Sequence, residues 1–220
     1  MILALDTTSE FGSIALVDGA AVVSEVLLHS PDGFAHVLYG QIERMLEARA
    51  IRVQDVDCFG VAAGPGSFTG VRVGLTAIKG LAEACGKRVA AVSNLQALAC
   101  FGSAELRATV LDARRGEIYG AVYDRDLNLR SPEVVAKFPD WLTTLPLGDV
   151  ELISTDPGAF AASAHGIPTI AAPRALAGAI GLIAARRFAD GQTSDPAEID
   201  ANYIRKSDAE LLTPALIPSP

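Results

Sequence analysis

Two stretches of the chain carry residue types that hold phosphate or orient a metal ion. Asp6-Thr7-Thr8-Ser9, with Gly12 beyond it, ends an apolar run that starts at Ile2. Hydroxyls and free backbone N–H groups in such a turn can cradle a phosphate, and Asp6 could orient a magnesium ion. The same residue types also build β-turns that bond their own backbone, so the composition supports either use. The second stretch, Gly64-Pro65-Gly66-Ser67-Phe68-Thr69-Gly70, joins an apolar run to a helical pattern, the position at which helix N-termini attract anions. Its three glycines and proline make a tight corner, with Thr69 the expected N-cap. No Gly-Lys-Ser/Thr closes it, which excludes a P-loop, and Ser67 lies outside a Gly-x-Ser-x-Gly elbow. Asp112-Ala113-Arg114-Arg115-Gly116-Glu117-Ile118-Tyr119 sets acids and bases around a further hairpin turn. The nucleotide- or anion-binding candidates are therefore Asp6, Thr7, Thr8, Gly66, Ser67 and Asp112.

Other chemistries lack their residues. The three histidines, His29, His36 and His165, form no His-x-x-x-His pair, and the i+4 neighbour of His36 is Gly40. No catalytic residue and no metal site is expected, and no Ser/His/Asp order stands out. Cys58, Cys85 and Cys100 are odd in number and set among apolar residues, a pattern of reduced thiols in the cytoplasm. The net charge of −8 does not suit a chain that grips a nucleic acid backbone by itself, although an acidic chain can still serve nucleic acid chemistry through a basic partner. No apolar run reaches the ~20 residues of a membrane span, and the start Met1-Ile2-Leu3-Ala4-Leu5-Asp6 lacks the basic region of a signal peptide.

The elements that must position the candidates alternate. Apolar runs over 2–6, 13–17 and 22–28 predict three strands, followed by a helix over 34–49 and a buried strand over 58–63. A helix follows over 70–85, then a strand over 88–92 and a helix over 93–100 capped by Ser93 or Asn94. The same spacing of 106 residues separates Asp6 from Asp112 and Asp18 from Asp124, which predicts a second β-hairpin opening and an internal duplication. Strands near 150–154 and 167–170, a helix over 174–190 and an irregular tail with Pro214, Pro218 and Pro220 complete the chain. Strands alternating with helices predict an α/β protein of two lobes, 1–102 and 103–220. The repeated hairpin-then-βα order points to the actin-like architecture shared by sugar kinases and heat-shock ATPases.

Two helices invite docking. Phe34, Val37, Leu38, Ile42, Met45 and Leu46, widened by Ala35 and Tyr39, make a stripe covering roughly 200° of the first long helix, more than one sheet needs. Gly70, Gly74, Ala77, Gly80 and Ala84 lie along the next one. Glycine inside a helix costs about 1 kcal/mol relative to alanine, which close approach of another backbone offsets.

Ile2-Leu3-Ala4-Leu5-Asp6-Thr7-Thr8, the stretch Gly64 to Arg72, Asp112 to Tyr119 and Tyr203-Ile204-Arg205 together resemble the bacterial TsaB family, also called YeaZ. The likeness spans nearly the whole chain, and Gly-Pro-Gly-Ser-Phe-Thr-Gly-x-Arg is its most specific part. The family has His-Ser where this chain has His36-Val37. The resemblance implies a two-lobed actin-like fold and a part in making threonylcarbamoyladenosine beside the tRNA anticodon. It implies a non-catalytic scaffold and activator of a metal-containing partner, TsaD, which performs the transfer from threonylcarbamoyl-adenylate. It further implies a small ATPase, TsaE, as a third member, contact with tRNA only through the complex, and a homodimer when the partner is absent. No cofactor of its own is implied, only a nucleotide at the partner interface. The implied interface comprises Phe34, His36, Leu38, Tyr39, Ile42, Met45, Leu46, Val71, Gly74, Leu75 and Ile78. A phosphotransferase built on Asp6, Thr7 and Asp112 is the alternative, and a peptidase ranks behind both.

Overall fold

A computed structural model of the chain describes residues 1–161, 164 and 166–204. His165, Arg205 and the tail prolines lie outside the described residues. The strands are β1 (Ile2–Asp6), β2 (Phe11–Asp18), β3 (Ala21–His29), β4 (Cys58–Gly64), β5 (Arg88–Ser93), β6 (Leu106–Arg114), β7 (Glu117–Asp124), β8 (Leu129–Lys137), β9 (Val150–Ser154) and β10 (Thr169–Ala171). The helices are α1 (Leu38–Glu47), α2 (Phe68–Cys85), α3 (Asn94–Ala99), α4 (Phe138–Leu142), α5 (Gly158–Ala161) and α6 (Ala177–Ala189).

Two five-stranded mixed sheets share one topology, β3-β2-β1-β4-β5 and β8-β7-β6-β9-β10. In each, an antiparallel hairpin pair leads into two parallel strands. The duplication is real at the level of topology, but its register is not a simple copy. Ala4 faces Ala15 in the first hairpin, whereas Ala121 faces Thr109 rather than Val110 in the second. A bulge between Asp112 and Arg114 absorbs the one-residue difference.

β1 and β4 are buried at every position because helices cover both faces of the first sheet. Leu3 and Leu5 project into the cluster formed with α1 and α2, while Ala4 projects towards α6. The α6 face is built from small residues. A Cβ on Gly181 would lie 2.5 Å from Val17 and 3.2 Å from Ala4, and one on Gly60 would lie 3.0 Å from Ala184. Helix and sheet therefore approach more closely than larger side chains would permit. In the second sheet Gly120 leaves room for Trp141, whose ring a Cβ would meet at 2.7 Å, and Trp141 packs with Phe138 and Phe160.

α6 comes from the second half of the chain yet covers the first sheet, and α3 packs on β6 and β7 of the second. The exchange is fixed at the start of α6, which has no capping side chain of its own. Its orphan N–H groups are satisfied from the first sheet instead. Ser13 Oγ accepts from Leu176 N at 3.1 Å and Ala177 N at 2.9 Å, and Glu25 Oε1 accepts from Gly178 N at 2.6 Å.

Partial desolvation where it meets the start of α6 raises the Glu25 carboxyl above the usual glutamate range, although the residue stays exposed on β3, and the Gly178 bond opposes the rise. The protonated form thus suits the fold better than the ionised one. Its contribution is fully present below the ordinary glutamate pKa and is lost as the pH rises through the raised value. Denaturant melts of wild type and Glu25→Gln, which keeps an acceptor for Gly178, should therefore diverge with pH. Wild type is expected to lose stability relative to the variant as the pH rises from the ordinary glutamate range, about 4, through the raised value; a constant difference would contradict this role.

Candidate functional site

β1 delivers Asp6 to the end of the first sheet, where the chain turns through Thr7 and Thr8; all three are at most 5% exposed. Asp6 Oδ1 accepts from Thr8 N at 2.8 Å and Thr8 Oγ1 at 2.7 Å, and Oδ2 accepts from Asn94 Nδ2 at 3.3 Å. Asn94 also donates to Thr8 Oγ1 at 2.7 Å and accepts from Gly64 N at 3.1 Å. Burial raises the Asp6 pKa, while the bonds from Thr8 and Asn94 oppose the rise. Both carboxylate oxygens are committed to the chain's own donors. Asn94 thereby joins the ends of β1 and β4.

The glycine turn closes over this corner. Ser67 N donates to Thr8 O at 2.7 Å, and Thr7 Oγ1 donates to Gly70 O at 2.7 Å. A Cβ on Gly66 would lie 2.5 Å from Thr8 O, one on Gly70 2.0 Å from Thr7 O, and one on Gly74 2.6 Å from Thr7 Oγ1. Such distances leave no room for a side chain: Gly66 and Gly70 allow backbone to approach backbone, and Gly74 makes room for the Thr7 hydroxyl. Ser67, not Thr69, is the N-cap of α2, accepting from Gly70 N at 3.3 Å. The expected cap falls two residues too far along because the helix already starts at Phe68.

Asp6, Thr7, Thr8, Gly66 and Ser67 are thus brought together. Asp112 is placed otherwise: it is exposed at the tip of the β6–β7 hairpin, where its carboxylate accepts from Arg114 N at 2.8 Å and pairs with the Arg114 guanidinium at 3.5 Å. Arg114 and Arg115 both hold positive φ there, 65° and 56°. Among the described residues no group of three or more His, Cys, Asp or Glu side chains is arranged to hold a metal ion.

Most of the expected interface residues on α1 and α2 face inwards in the structure. Phe34, Leu38, Ile42, Met45, Leu46, Val71, Leu75 and Ile78 are all buried in the first lobe's own core, and Gly74 is occupied by Thr7. The stripe looks too wide because Phe34 precedes the helix, its carbonyl accepting from Val37 N and Leu38 N in a turn, while its ring packs against Gly12. Ile51 and Val53 then cover part of what remains. His36 and Tyr39 are the members of that set that face solvent. Ala35, Tyr39, Phe68, Arg72, Val73 and Thr76 line a groove of about 460 Å³ between the two helices. The Arg72 guanidinium lies 3.7 Å over the Phe68 ring and donates through Nε to Tyr203 OH at 3.0 Å.

Sequence reasoning missed Asn94 as more than a cap and missed Glu133 entirely. Glu133 accepts from Tyr123 OH at 2.6 Å, from Asn202 Nδ2 at 2.5 Å and from Ser93 Oγ, tying β8 to the first lobe and to the segment after α6. Burial and the adjacent Glu133 carboxylate push the Tyr123 phenol far above its ordinary range.

The family model described as tRNA N6-adenosine threonylcarbamoyltransferase, TsaD, matches residues 32–163. The chain is 33% identical over 149 residues to the tRNA threonylcarbamoyladenosine biosynthesis protein TsaB of Bacillus subtilis, covering 66% of this chain and 65% of that one. It is 34% identical over 131 residues to TsaB of Escherichia coli, covering 58% and 56%. These matches therefore span less than two thirds of either relative's length. The structure of YeaZ from Pseudomonas aeruginosa superposes with a TM-score of 0.80 at 26% identity, over 92% of this chain and 98% of that one. In sequence and in its doubled five-stranded fold, the chain belongs to the actin-like TsaB (YeaZ) family.

Proposed function

We propose that the chain is a non-catalytic scaffold and activator in the complex that transfers threonylcarbamoyl to the adenosine beside the tRNA anticodon. The observation that carries this reading is the closure of the first-lobe corner. The threonines and Asp6 that would cradle a phosphate and its metal ion are packed against Gly66, Gly70 and Gly74 and bonded to Asn94. A corner filled by its own backbone positions helices rather than substrate. In this reading the exposed face of α1 and α2 docks to a TsaD-like catalytic subunit, and a second copy of the chain takes that face when the subunit is absent. A TsaE-like ATPase joins the pair, tRNA reaches this chain only through the complex, and any nucleotide binds at the subunit interface. Among the described residues no helix is long and apolar enough to cross a membrane, and a cytoplasmic location accords with a tRNA-modifying role.

Docking through an exposed face and unfolding of a core are separable. Tyr39, 53% exposed, and Phe68, 44% exposed, can each be replaced by Asp with little effect on the melting temperature. Either substitution is expected to abolish co-elution with the catalytic subunit in size-exclusion chromatography. Leu38→Asp or Ile42→Asp buries an unpaired charge and should cost roughly 4 kcal/mol or more, losing the complex by unfolding. Retained binding by folded Tyr39→Asp and Phe68→Asp would overturn the assignment of the face.

The second reading, a phosphotransferase acting alone, is favoured by Asp6 standing at the end of β1. Purified chain is expected to release no phosphate from magnesium-ATP above a buffer blank. Turnover that disappears in Asp6→Ala would favour the phosphotransferase instead.

A further inference from the structure

We infer that Arg72 is the receptor for a carboxylate on the docking partner, and that Tyr203 is the residue that positions it. This rests on the proposed docking of α1 and α2 to a TsaD-like subunit and adds the chemistry of recognition. Arg72 is exposed on the second turn of α2, at the rim of the groove. One face of its guanidinium is covered by Phe68 at 3.7 Å, and its Nε donates to Tyr203 OH at 3.0 Å. The Phe68 and Tyr203 rings lie 5.5 Å apart at 31° and complete the stack. Held in this way, the planar group loses little freedom on binding and keeps its two terminal amino groups for a bidentate acceptor.

Among the described residues no carboxylate pairs with Arg72, although the chain has 26 acids to 18 bases. A partner covering the groove would strip water from this cation, which is costly unless an opposite charge replaces it. An Asp or Glu beside the partner's apolar contact satisfies that requirement. A polypeptide fits better than RNA, because the groove beside Arg72 is lined by Leu38, Val73 and Ala77 and the chain carries a net charge of −8.

Tyr203 is itself fixed from the second lobe. Asn202 N donates to Ala63 O at 2.8 Å, and its side chain donates to Glu133 Oε2 at 2.5 Å. Glu133 on β8 therefore sets the position of the segment that presents the Tyr203 hydroxyl to Arg72.

Titration calorimetry of the chain against the threonylcarbamoyltransferase subunit of the same organism, at several salt concentrations, tests this. Arg72→Gln is expected to weaken binding by at least ~10-fold and to flatten its salt dependence, as loss of a charge pair does. Arg72→Lys, a point charge without the fork, should fall between. Tyr203→Phe should weaken binding several-fold while keeping the wild-type salt dependence, because the charge remains and only its placement is lost. Both sites are exposed, so the melting temperatures of all three variants should stay at the wild-type value. Wild-type binding that Arg72→Gln leaves within about twofold, with unchanged salt dependence, overturns the inference but not the scaffold reading. Absence of any wild-type complex overturns both. Loss of tRNA binding by the Arg72→Gln chain alone, with the protein complex intact, would assign Arg72 to RNA and overturn it as well.

Discussion

Backbone-to-backbone contact between the Thr7–Thr8 turn and the start of α2 is the constraint on which the rest of the first lobe depends. Gly66, Gly70 and Gly74 present no side chain at the three points where Thr7 and Thr8 arrive. The helix can therefore start directly above the end of β1, with Ser67 capping it and Thr7 bonded to Gly70 O. The polar groups trapped by this contact would be costly if left unpaired. Asn94 resolves that by serving Asp6, Thr8 and Gly64 together. The corner is closed, and its polar residues support α2 from beneath while Phe68, Arg72 and Thr76 face outwards.

The two lobes are interlocked rather than simply apposed. α6 reaches across to the first sheet, and its N-terminus is held by Ser13 and Glu25. The chain then returns along Asn202 and Tyr203, contacting Ala63, Glu133 and Arg72 in turn. The outer face of α2 is thus mechanically linked to the edge of the second sheet. In the scaffold reading proposed above, such a link holds the docking face from more than one direction.

Much of this could be read from the sequence, and the failures have identifiable causes. β1, β4 and β9 are short apolar runs ending at small or acidic residues, so their limits stand out. β8 does not, because Pro132 and polar neighbours interrupt it; it lies at a sheet edge, where a missing N–H is tolerated. The glycine turn is conspicuous as a motif, but whether it cradles an anion or its own chain depends on what lies opposite. Thr7 is 63 residues from Gly70, and Asn94 is 88 from Asp6. No local pattern encodes that meeting. The same limit applied to α1, where counting Phe34 into the helix turned core residues into an apparent docking stripe.

The central claim is that the Asp6 corner shapes the chain and takes no part in the chemistry. Threonylcarbamoyl transfer to tRNA from threonylcarbamoyl-adenylate by the catalytic subunit, with no added chain, with wild type, or with Asp6→Asn, tests it most directly. The account predicts little transfer without the chain, and transfer with Asp6→Asn that matches wild type when scaled to the amount of complex formed. Full activity of the catalytic subunit alone, or an Asp6→Asn complex that forms normally and transfers nothing, would contradict it.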